Sequence, residues 1–162
     1  MKRPISKVLA EQMAELTLSL LEACQLKQEL IAAHHGLSVA EFKVFRKFKE
    51  NSVLSAGELA ARMQLSSSRV TRILDGMVEK AVVTREHARD DRRVVEIALT
   101  QHGKEIMVEL NSDYVRAHED ILGLLPLEEC ESVVHALAKL DHAMAKWVGA
   151  RPGEINREMV ED

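Results

Sequence analysis

Apolar residues recur every three or four positions along the first part of the chain, which is the spacing of one helix face. The longest such run covers residues 9–31 without proline or glycine and predicts a long first helix. Ser38 with Glu41, and Ser55 with Glu58, have the spacing of capping boxes, so each pair predicts the start of a shorter helix. The first part of the chain is therefore expected to hold three helices.

The pattern changes after a fourth helical run. This run follows the serines at 66–68, and its apolar residues fall on a single face: Val70, Ile73, Leu74, Met77 and Val78. Beyond Lys80, residues 82–87 and 94–99 are rich in β-branched side chains and predict two antiparallel strands joined by a charged loop. A short helix, a turn, a single-faced helix and a β-hairpin make up a winged helix-turn-helix. We therefore expect a mainly α protein with a small β-hairpin wing, an α+β fold.

Two more helices are predicted after the hairpin. Thr100 can cap the first of them, and Pro126 suits the start of the second. The second helix has apolar residues at alternating three- and four-residue steps: Val133, Leu137, Leu140, Met144 and Trp147. These stripes, with that of the first helix, exceed what a winged helix of about 60 residues can cover. Dimerisation through both chain ends accounts for them, although the same stripes could close a monomeric helical core.

Length and composition favour one soluble domain. The chain has 162 residues, of which 46% are hydrophobic and 3% aromatic. No run approaches the roughly 18 apolar positions of a membrane helix, and Cys24 and Cys130 form no C-x-x-C pair. A cytoplasmic protein with no membrane contact is expected. Its predicted divisions are dimerisation helices at 8–34 and 101–148, a winged helix-turn-helix at 38–100 with the wing at 82–99, and a tail at 149–162.

Positive charge is concentrated in the predicted helix-turn-helix. The net charge of the chain is −4, yet residues 59–74 hold three arginines and no acidic residue, whereas residues 104–141 hold three basic and nine acidic residues. DNA phosphates would favour the positive face, although a solvated helix face would explain the same arginines. The second helix of the motif supplies a predicted DNA-contacting set: Ser66, Ser67, Ser68, Arg69, Thr71 and Arg72.

The hairpin loop adds further arginines to this set. Arg89, Arg92 and Arg93 lie on the predicted wing, and arginines on a protruding hairpin suit the strong negative potential of a narrow minor groove. Asp91 could brace a guanidinium in one rotamer, because an arginine has donors to spare, and we treat it as an orienting residue. Cations on both helix and wing favour DNA binding over a winged-helix module that contacts only other proteins.

Several short motifs resemble those of the MarR/SlyA transcriptional regulators, in order and spacing, through residues 55–103. The motifs are Leu59-Ala60, Leu65-Ser66, Val70-Thr71-Arg72, Asp91-Arg92-Arg93 and Leu99-Thr100-x-x-Gly103. The resemblance implies a winged helix between N- and C-terminal helices that form a two-fold dimer. It also implies binding to a pseudopalindromic operator in double-stranded DNA, with release when a small ligand or oxidant binds. By position it places Thr71 and Arg72 on the recognition helix and Arg92 at or beside the wing tip.

One position departs from the family pattern. Ala81 stands where family members usually have glycine after the lysine that ends the recognition helix. A left-handed backbone there is costly for alanine. The helix could therefore end differently, which would change the angle of the wing.

Other chemistry has weaker support in the sequence. No G-x-S-x-G, P-loop or dinucleotide fingerprint is present, so no enzyme, catalytic residue or cofactor is expected. The seven histidines form no H-x-x-x-H pair with a nearby carboxylate, so no metal is assigned. Cys24 falls on the apolar stripe of the first helix, which favours a buried thiol over a redox sensor. A redox or metal sensor of the same family stays an alternative.

Four polar residues are candidates for an effector site. His34, His35, Arg46 and Arg116 could border a cavity for a small anionic aromatic compound, or they could equally be surface residues. The sequence therefore predicts a homodimeric DNA-binding regulator, most simply a repressor, whose binding a small effector modulates.

Overall fold

Six helices and three strands form the part of the chain that the computed structural model describes, which is residues 6–48, 53–88, 90–91 and 93–149. In chain order they are α1 (Lys7–His34), α2 (Val39–Phe45), β1 (Val53–Ser55), α3 (Ala56–Met63), α4 (Ser67–Glu79), β2 (Val83–His87), β3 (Val95–Leu99), α5 (Gln101–Leu122) and α6 (Leu127–Gly149). The predicted mainly helical fold with a β-hairpin wing is confirmed. Apart from Gly149, the predicted tail lies outside the described residues. No helix in the described ranges has the length and apolar content that crossing a membrane requires.

Local capping fixes the starts of the short helices, as predicted. At α2 the Ser38 hydroxyl accepts from the backbone N–H of Glu41 at 3.2 Å, and the Glu41 carboxylate accepts from the backbone N–H of Ser38 at 2.7 Å. Ser55 and Glu58 form the same reciprocal pair at α3, with distances of 3.1 and 2.9 Å. The hydrogen bonds from Ser55 lower the pKa of Glu58. Each pair satisfies N–H groups that have no partner within the helix.

The helix-turn-helix, α3 and α4, packs on the apolar core below it. The buried side chains of this core include Phe42, Val44, Phe45, Phe48, Leu59, Val70, Leu74 and Met77. Between the two helices, α3 ends at Gln64, whose backbone is left-handed. The N–H of Leu65 then donates to the Ala60 carbonyl at 3.1 Å. Of the predicted apolar face of α4, Ile73 is half-buried and Val78 is exposed. The core therefore buries the centre of that face and leaves the polar side of α4 exposed.

A three-stranded antiparallel sheet in the order β1–β3–β2 carries the wing, which is the β2–β3 hairpin. β2 and β3 are the predicted strands, paired from Val83 with Leu99 to His87 with Val95. β1 has no counterpart among the predicted elements, and its three residues pair with residues 96–98 of β3. So short a strand has too little alternation to be recognised in a sequence. It forms because β3 offers its backbone groups partners.

The end of α4 is a Schellman turn that includes the unusual alanine. The N–H of Ala81 donates to the Val78 carbonyl at 2.8 Å, and the N–H of Val82 donates to the Met77 carbonyl at 3.1 Å. Ala81 itself has a left-handed φ of 54°. The helix thus ends in left-handed backbone although glycine is missing, and the expectation of a different ending is wrong.

Thr100 joins this turn to the start of α5. Its hydroxyl donates to the Ala81 carbonyl at 2.8 Å and accepts from the N–H of Gly103 at 2.9 Å, so the predicted cap is confirmed. A Cβ added at Gly103 would overlap the backbone carbonyl of Val82. The motif Leu99-Thr100-x-x-Gly103 therefore has a steric reason: α5 begins directly against the chain that leaves α4.

The chain divides within α5 into two compact units, residues 1–114 and residues 115–162. In the second unit, α6 starts with Glu128 and Glu129 in its first turn, where the helix dipole favours negative charge. None of the residues of α6, all of which are described, is buried. The assignment of the chain to one domain stays a prediction.

We expect Ala81→Gly to stabilise the protein. A Cβ in left-handed backbone costs about 1–2 kcal/mol, and glycine removes this cost. Glycine also makes the unfolded chain more flexible, which offsets part of the stabilisation. We therefore expect the free energy of unfolding to rise by about 0.5–1 kcal/mol. Urea denaturation followed by circular dichroism measures the change. Ala138→Gly, on the exposed surface of α6, is the control and should lose about 0.5–1 kcal/mol. A loss of stability at position 81 would contradict the left-handed helix end.

Candidate nucleic-acid interface

The exposed side of α4 carries the residues predicted from sequence to contact DNA. Ser67, Ser68, Arg69 and Arg72 are exposed, and Thr71 is half-buried. Among the described residues, no acidic side chain pairs with either of these arginines. The first turn of α4 also lacks an acidic residue, so its N-terminal N–H groups can meet a phosphate. The structure thus brings two arginines and a helix N-terminus to one surface.

Ser66 has a structural role in this surface. Its hydroxyl accepts from the backbone N–H of Arg69 at 3.4 Å and lies 3.1 Å from the hydroxyl of Ser68. It is the N-cap of α4, which the sequence predicted among the serines at 66–68. Of the three serines, Ser67 and Ser68 therefore lie within the first turn, whereas Ser66 fixes where that turn begins.

The wing loop is shaped by Asp91. Its carboxylate accepts a hydrogen bond from the backbone N–H of Arg93 at 2.9 Å, and its carbonyl accepts from the N–H of Val94 at 2.9 Å. Asp91 therefore orders the backbone of the loop, which presents the exposed Arg93. Arg89 and Arg92 lie outside the described residues.

An ion pair that the sequence analysis missed links the wing to α4. Arg85 on β2 and Asp75 on α4 approach to 2.9 Å between Nη1 and Oδ1. Both side chains are partly exposed, so the pair adds little stability. The sequence indicates such a pair, because Asp75 lies on the polar side of α4 and Arg85 on the following strand.

A cavity of about 810 Å³ opens beside α4, and we call it the basic cavity. Its cationic lining consists of Lys43, Arg46, Lys47, Arg62, Arg69 and Arg72. Apolar and aromatic walls come from residues such as Phe42, Ile73 and Tyr114, and no described acidic residue lines it. The volume falls within the range of about 300–1,000 Å³ that is usual for ligand pockets. Two arginines of the predicted DNA surface are therefore also walls of a cavity.

Arg46, a predicted effector residue, is held at the wall of this cavity. Its guanidinium carbon lies 4.6 Å from the ring centre of Tyr114, which is a cation–π contact. Its Nη1 donates to Oδ1 of Asn111 at 3.0 Å. The ring of Phe42 lies beside that of Tyr114, with 6.1 Å between their centres. An anion that enters the cavity would thus meet a guanidinium already held in place.

The other predicted effector residues lie elsewhere. His34 and His35, at the end of α1, do not line the basic cavity and instead meet Asp113 on α5. Arg116 belongs to the unit formed by residues 115–162. The structure therefore places Arg46 in the cavity and groups the two histidines with a carboxylate that the sequence analysis did not connect to them.

A buried carboxylate ties α2 to the far end of α4. Oε2 of Glu41 lies 2.6 Å from Nζ of Lys80, which also donates to the carbonyl of Gly36 at 2.9 Å. Burial by itself raises the pKa of Glu41, but the hydrogen bonds from Lys80 and Ser38 outweigh it and leave the pKa below its ordinary value. From the sequence alone, Glu41 is recognisable only as a capping residue. The ionised carboxylate in fact joins three segments: the α1–α2 turn, α2 and the end of α4.

Two comparisons of sequence identify relatives of the chain. The model of the MarR family matches residues 37–95, which cover the helix-turn-helix and most of the wing. The HTH-type transcriptional repressor MdtR of Bacillus subtilis (strain 168) is 31% identical over 108 residues, which are 67% of this chain and 70% of that protein. The similarity therefore extends well beyond the DNA-binding motif.

Solved structures share the fold. The YusO protein from Bacillus subtilis aligns with a TM-score of 0.70 at 27% identity, covering 86% of this chain and 99% of that one. A MarR family protein from Bacillus stearothermophilus aligns with a TM-score of 0.76 at 22% identity, covering 88% and 99%. Sequence and fold agree, and the chain belongs to the MarR family of DNA-binding transcriptional regulators.

Proposed function

We propose that the protein is a homodimeric transcriptional repressor that binds a pseudopalindromic operator and leaves it when a small anionic effector binds. The observation that carries the proposal is the exposed cationic side of α4 in a chain whose net charge is −4. The name of the relative MdtR, a transcriptional repressor, supports repression. In this proposal, residues 38–100 are the DNA-binding winged helix-turn-helix, with the wing at 82–99.

In this proposal, α4 is the recognition helix. Arg69 and Arg72 are exposed and can donate to phosphates or to the O6 and N7 of guanine. Ser67, Ser68 and Thr71 supply shorter donors, and Ser66 keeps its capping role. The arginines of the wing, Arg89, Arg92 and Arg93, would reach the neighbouring minor groove, with Asp91 ordering their loop.

Exposed apolar stripes at both chain ends support a dimer over a monomeric helical core. On α1 the exposed apolar side chains include Leu9, Met13, Leu16, Leu20, Leu21, Leu26 and Leu30. On α6 they include Leu137, Met144 and Trp147, with Leu137 47% exposed. Cys24, expected to be buried on the α1 stripe, is half-buried. Apolar surface of this extent is typical of an interface, and we assign residues 8–34 and 101–148 to it.

A two-fold dimer sets the symmetry of the operator. Two copies of α4 would enter successive major grooves on one side of the DNA. The operator should then be an inverted repeat whose half-site centres lie roughly 10 base pairs, or about 34 Å, apart. A footprint that protects a single half-site with one chain bound would contradict this arrangement.

The basic cavity suits the effector. Its cations and aromatic walls fit a carboxylate on an aromatic ring, and Arg46 is held in place for it. Because Arg69 and Arg72 line the cavity as well as the DNA surface, an anion that pairs with them withdraws them from phosphates. By linkage, bound operator weakens effector binding by the same factor by which bound effector weakens operator binding, typically about 5- to 150-fold.

Arg72→Ala should weaken operator binding by about 1–3 kcal/mol if the guanidinium reads a base, with specificity relaxed at one symmetric position. Fluorescence anisotropy on DNA from upstream of the protein's own coding region, repeated at several salt concentrations, measures the loss. Uniform weakening with a salt slope reduced by about 1 would assign Arg72 to a phosphate. Lys139→Ala, which removes one positive charge from α6, should bind as the wild type does. Wild-type affinity in Arg72→Ala would contradict the role of α4.

Leu137→Asp should split the dimer and abolish binding to the full operator, because it places an unpaired charge in the apolar interface. Sedimentation velocity gives the oligomeric state, and the DNA titration gives the affinity. Ala138→Asp adds the same charge at an exposed position outside the apolar stripe of α6 and should stay dimeric. A monomeric Leu137→Asp protein that still binds the full operator with wild-type affinity would show that operator binding does not require the dimer.

The anion 2-hydroxybenzoate should raise the melting temperature of the protein and weaken operator binding, because its carboxylate pairs with the cations of the basic cavity. Benzyl alcohol, a neutral aromatic of similar size, should do neither. Arg46→Gln should reduce the response to 2-hydroxybenzoate while DNA binding in its absence persists. An unchanged response in Arg46→Gln would show that the compound binds elsewhere.

A further inference from the structure

The end of α1 and the middle of α5 bring together two imidazoles and a carboxylate. His34 is the last residue of α1, His35 follows it, and Asp113 lies on α5. Oδ2 of Asp113 is 3.0 Å from Nε2 of His35 and 3.9 Å from Nε2 of His34. One ligand atom from each of the three residues lies within 4.8 Å of the others.

We propose that these three residues bind a divalent transition-metal ion of the Zn²⁺ class. Imidazole nitrogen and carboxylate oxygen are ordinary zinc ligands, and ligands of tetrahedral zinc lie about 3.4 Å from one another. The two distances to Asp113, 3.0 and 3.9 Å, fall on either side of that value, so small side-chain rotations would suffice. Three protein ligands leave a fourth position for water or a small anion.

The geometry exceeds what a single histidine–aspartate hydrogen bond requires. His35 already contacts Oδ2 of Asp113 at hydrogen-bond distance, yet His34, whose side chain is 75% exposed, also directs its Nε2 toward the same oxygen. The two rings are nearly perpendicular, at 85°, with centres 5.1 Å apart. One ligand atom from each of the three residues is thus close enough to the other two for all three to contact one ion after small rotations.

A second carboxylate stands behind His35. Oε2 of Glu109, one helical turn before Asp113, is 3.9 Å from Nδ1 of His35. Histidines that bind a metal through one nitrogen commonly direct the other toward a carboxylate, which fixes the ring and makes it a better ligand. The side chain of His35 is only 7% exposed, so its ring is also held by its surroundings.

The site is placed to influence α4. Gly36 directly follows His35, and its carbonyl accepts the hydrogen bond from Lys80 at the end of α4. An ion that fixes the end of α1 to α5 would therefore fix the turn on which Lys80 is held. This regulatory effect rests on the proposed DNA-binding function, whereas metal binding itself does not.

The test is a titration of chelator-treated, full-length protein with Zn²⁺ in competition with a chromophoric chelator. One ion per chain is expected, with affinity reduced at least about tenfold in His34→Ala and in Asp113→Asn. His102→Ala, which removes an exposed histidine outside the cluster, should match the wild type. Co²⁺ should give the visible absorption of a four-coordinate site in the wild type and in His102→Ala, and lose it in His34→Ala.

The variants are chosen so that a loss of zinc affinity does not result from misfolding. His34 is exposed, and asparagine at 113 keeps the shape of aspartate, so circular dichroism spectra should match the wild type. Equal Zn²⁺ affinity in His34→Ala and wild type would overturn the proposal, since the ion would then sit on other histidines. Zinc that binds at the cluster but leaves DNA affinity unchanged would overturn only the regulatory effect. A protein that binds zinc but no DNA would instead contradict the proposed function.

Discussion

The placement of α4 depends on the contact of Lys80 with the buried carboxylate of Glu41. Burying a carboxylate is favourable only when donors surround it, and Lys80 and Ser38 supply them. Lys80 ends α4, Glu41 lies in α2, and the same ammonium reaches the turn after α1. Gly76 leaves room for this carboxylate, since a Cβ there would lie 3.1 Å from Oε1 of Glu41. The C-terminal end of α4 is thus anchored, and the polar side of its N-terminal half remains exposed.

The anchored helix presents one set of arginines to two surfaces. Arg69 and Arg72 are exposed on α4 and also line the basic cavity, where Arg46 is held against Tyr114. In the proposed function, phosphate and effector compete for the same guanidiniums, and this competition requires no large movement of the chain. The acidic excess of the chain lies in residues 104–141, outside the helix-turn-helix. In the proposed function, local charge rather than the net charge of −4 therefore governs DNA binding.

Local interactions were predicted well from the sequence. The capping boxes of Ser38 and Ser55 and the cap of Thr100 involve partners three residues away, so their spacing is visible in the chain. The fold class and the hairpin followed from periodicity. The end of α4 was misjudged, because the hydrogen bonds of the Schellman turn and the contact from Thr100 hold Ala81 in a conformation that its own preference opposes.

The sequence by itself determined where helices begin, which faces are apolar and where positive charge accumulates, because these properties depend on neighbours within one or two turns. Only the tertiary structure decided which distant residues meet. Lys80 reaches Glu41 across 39 positions, and Asp113 reaches His35 across 78. Strand β1 likewise forms only because β3 offers it a partner. Such contacts depend on how helices pack, and packing is set by the whole apolar core rather than by any local spacing.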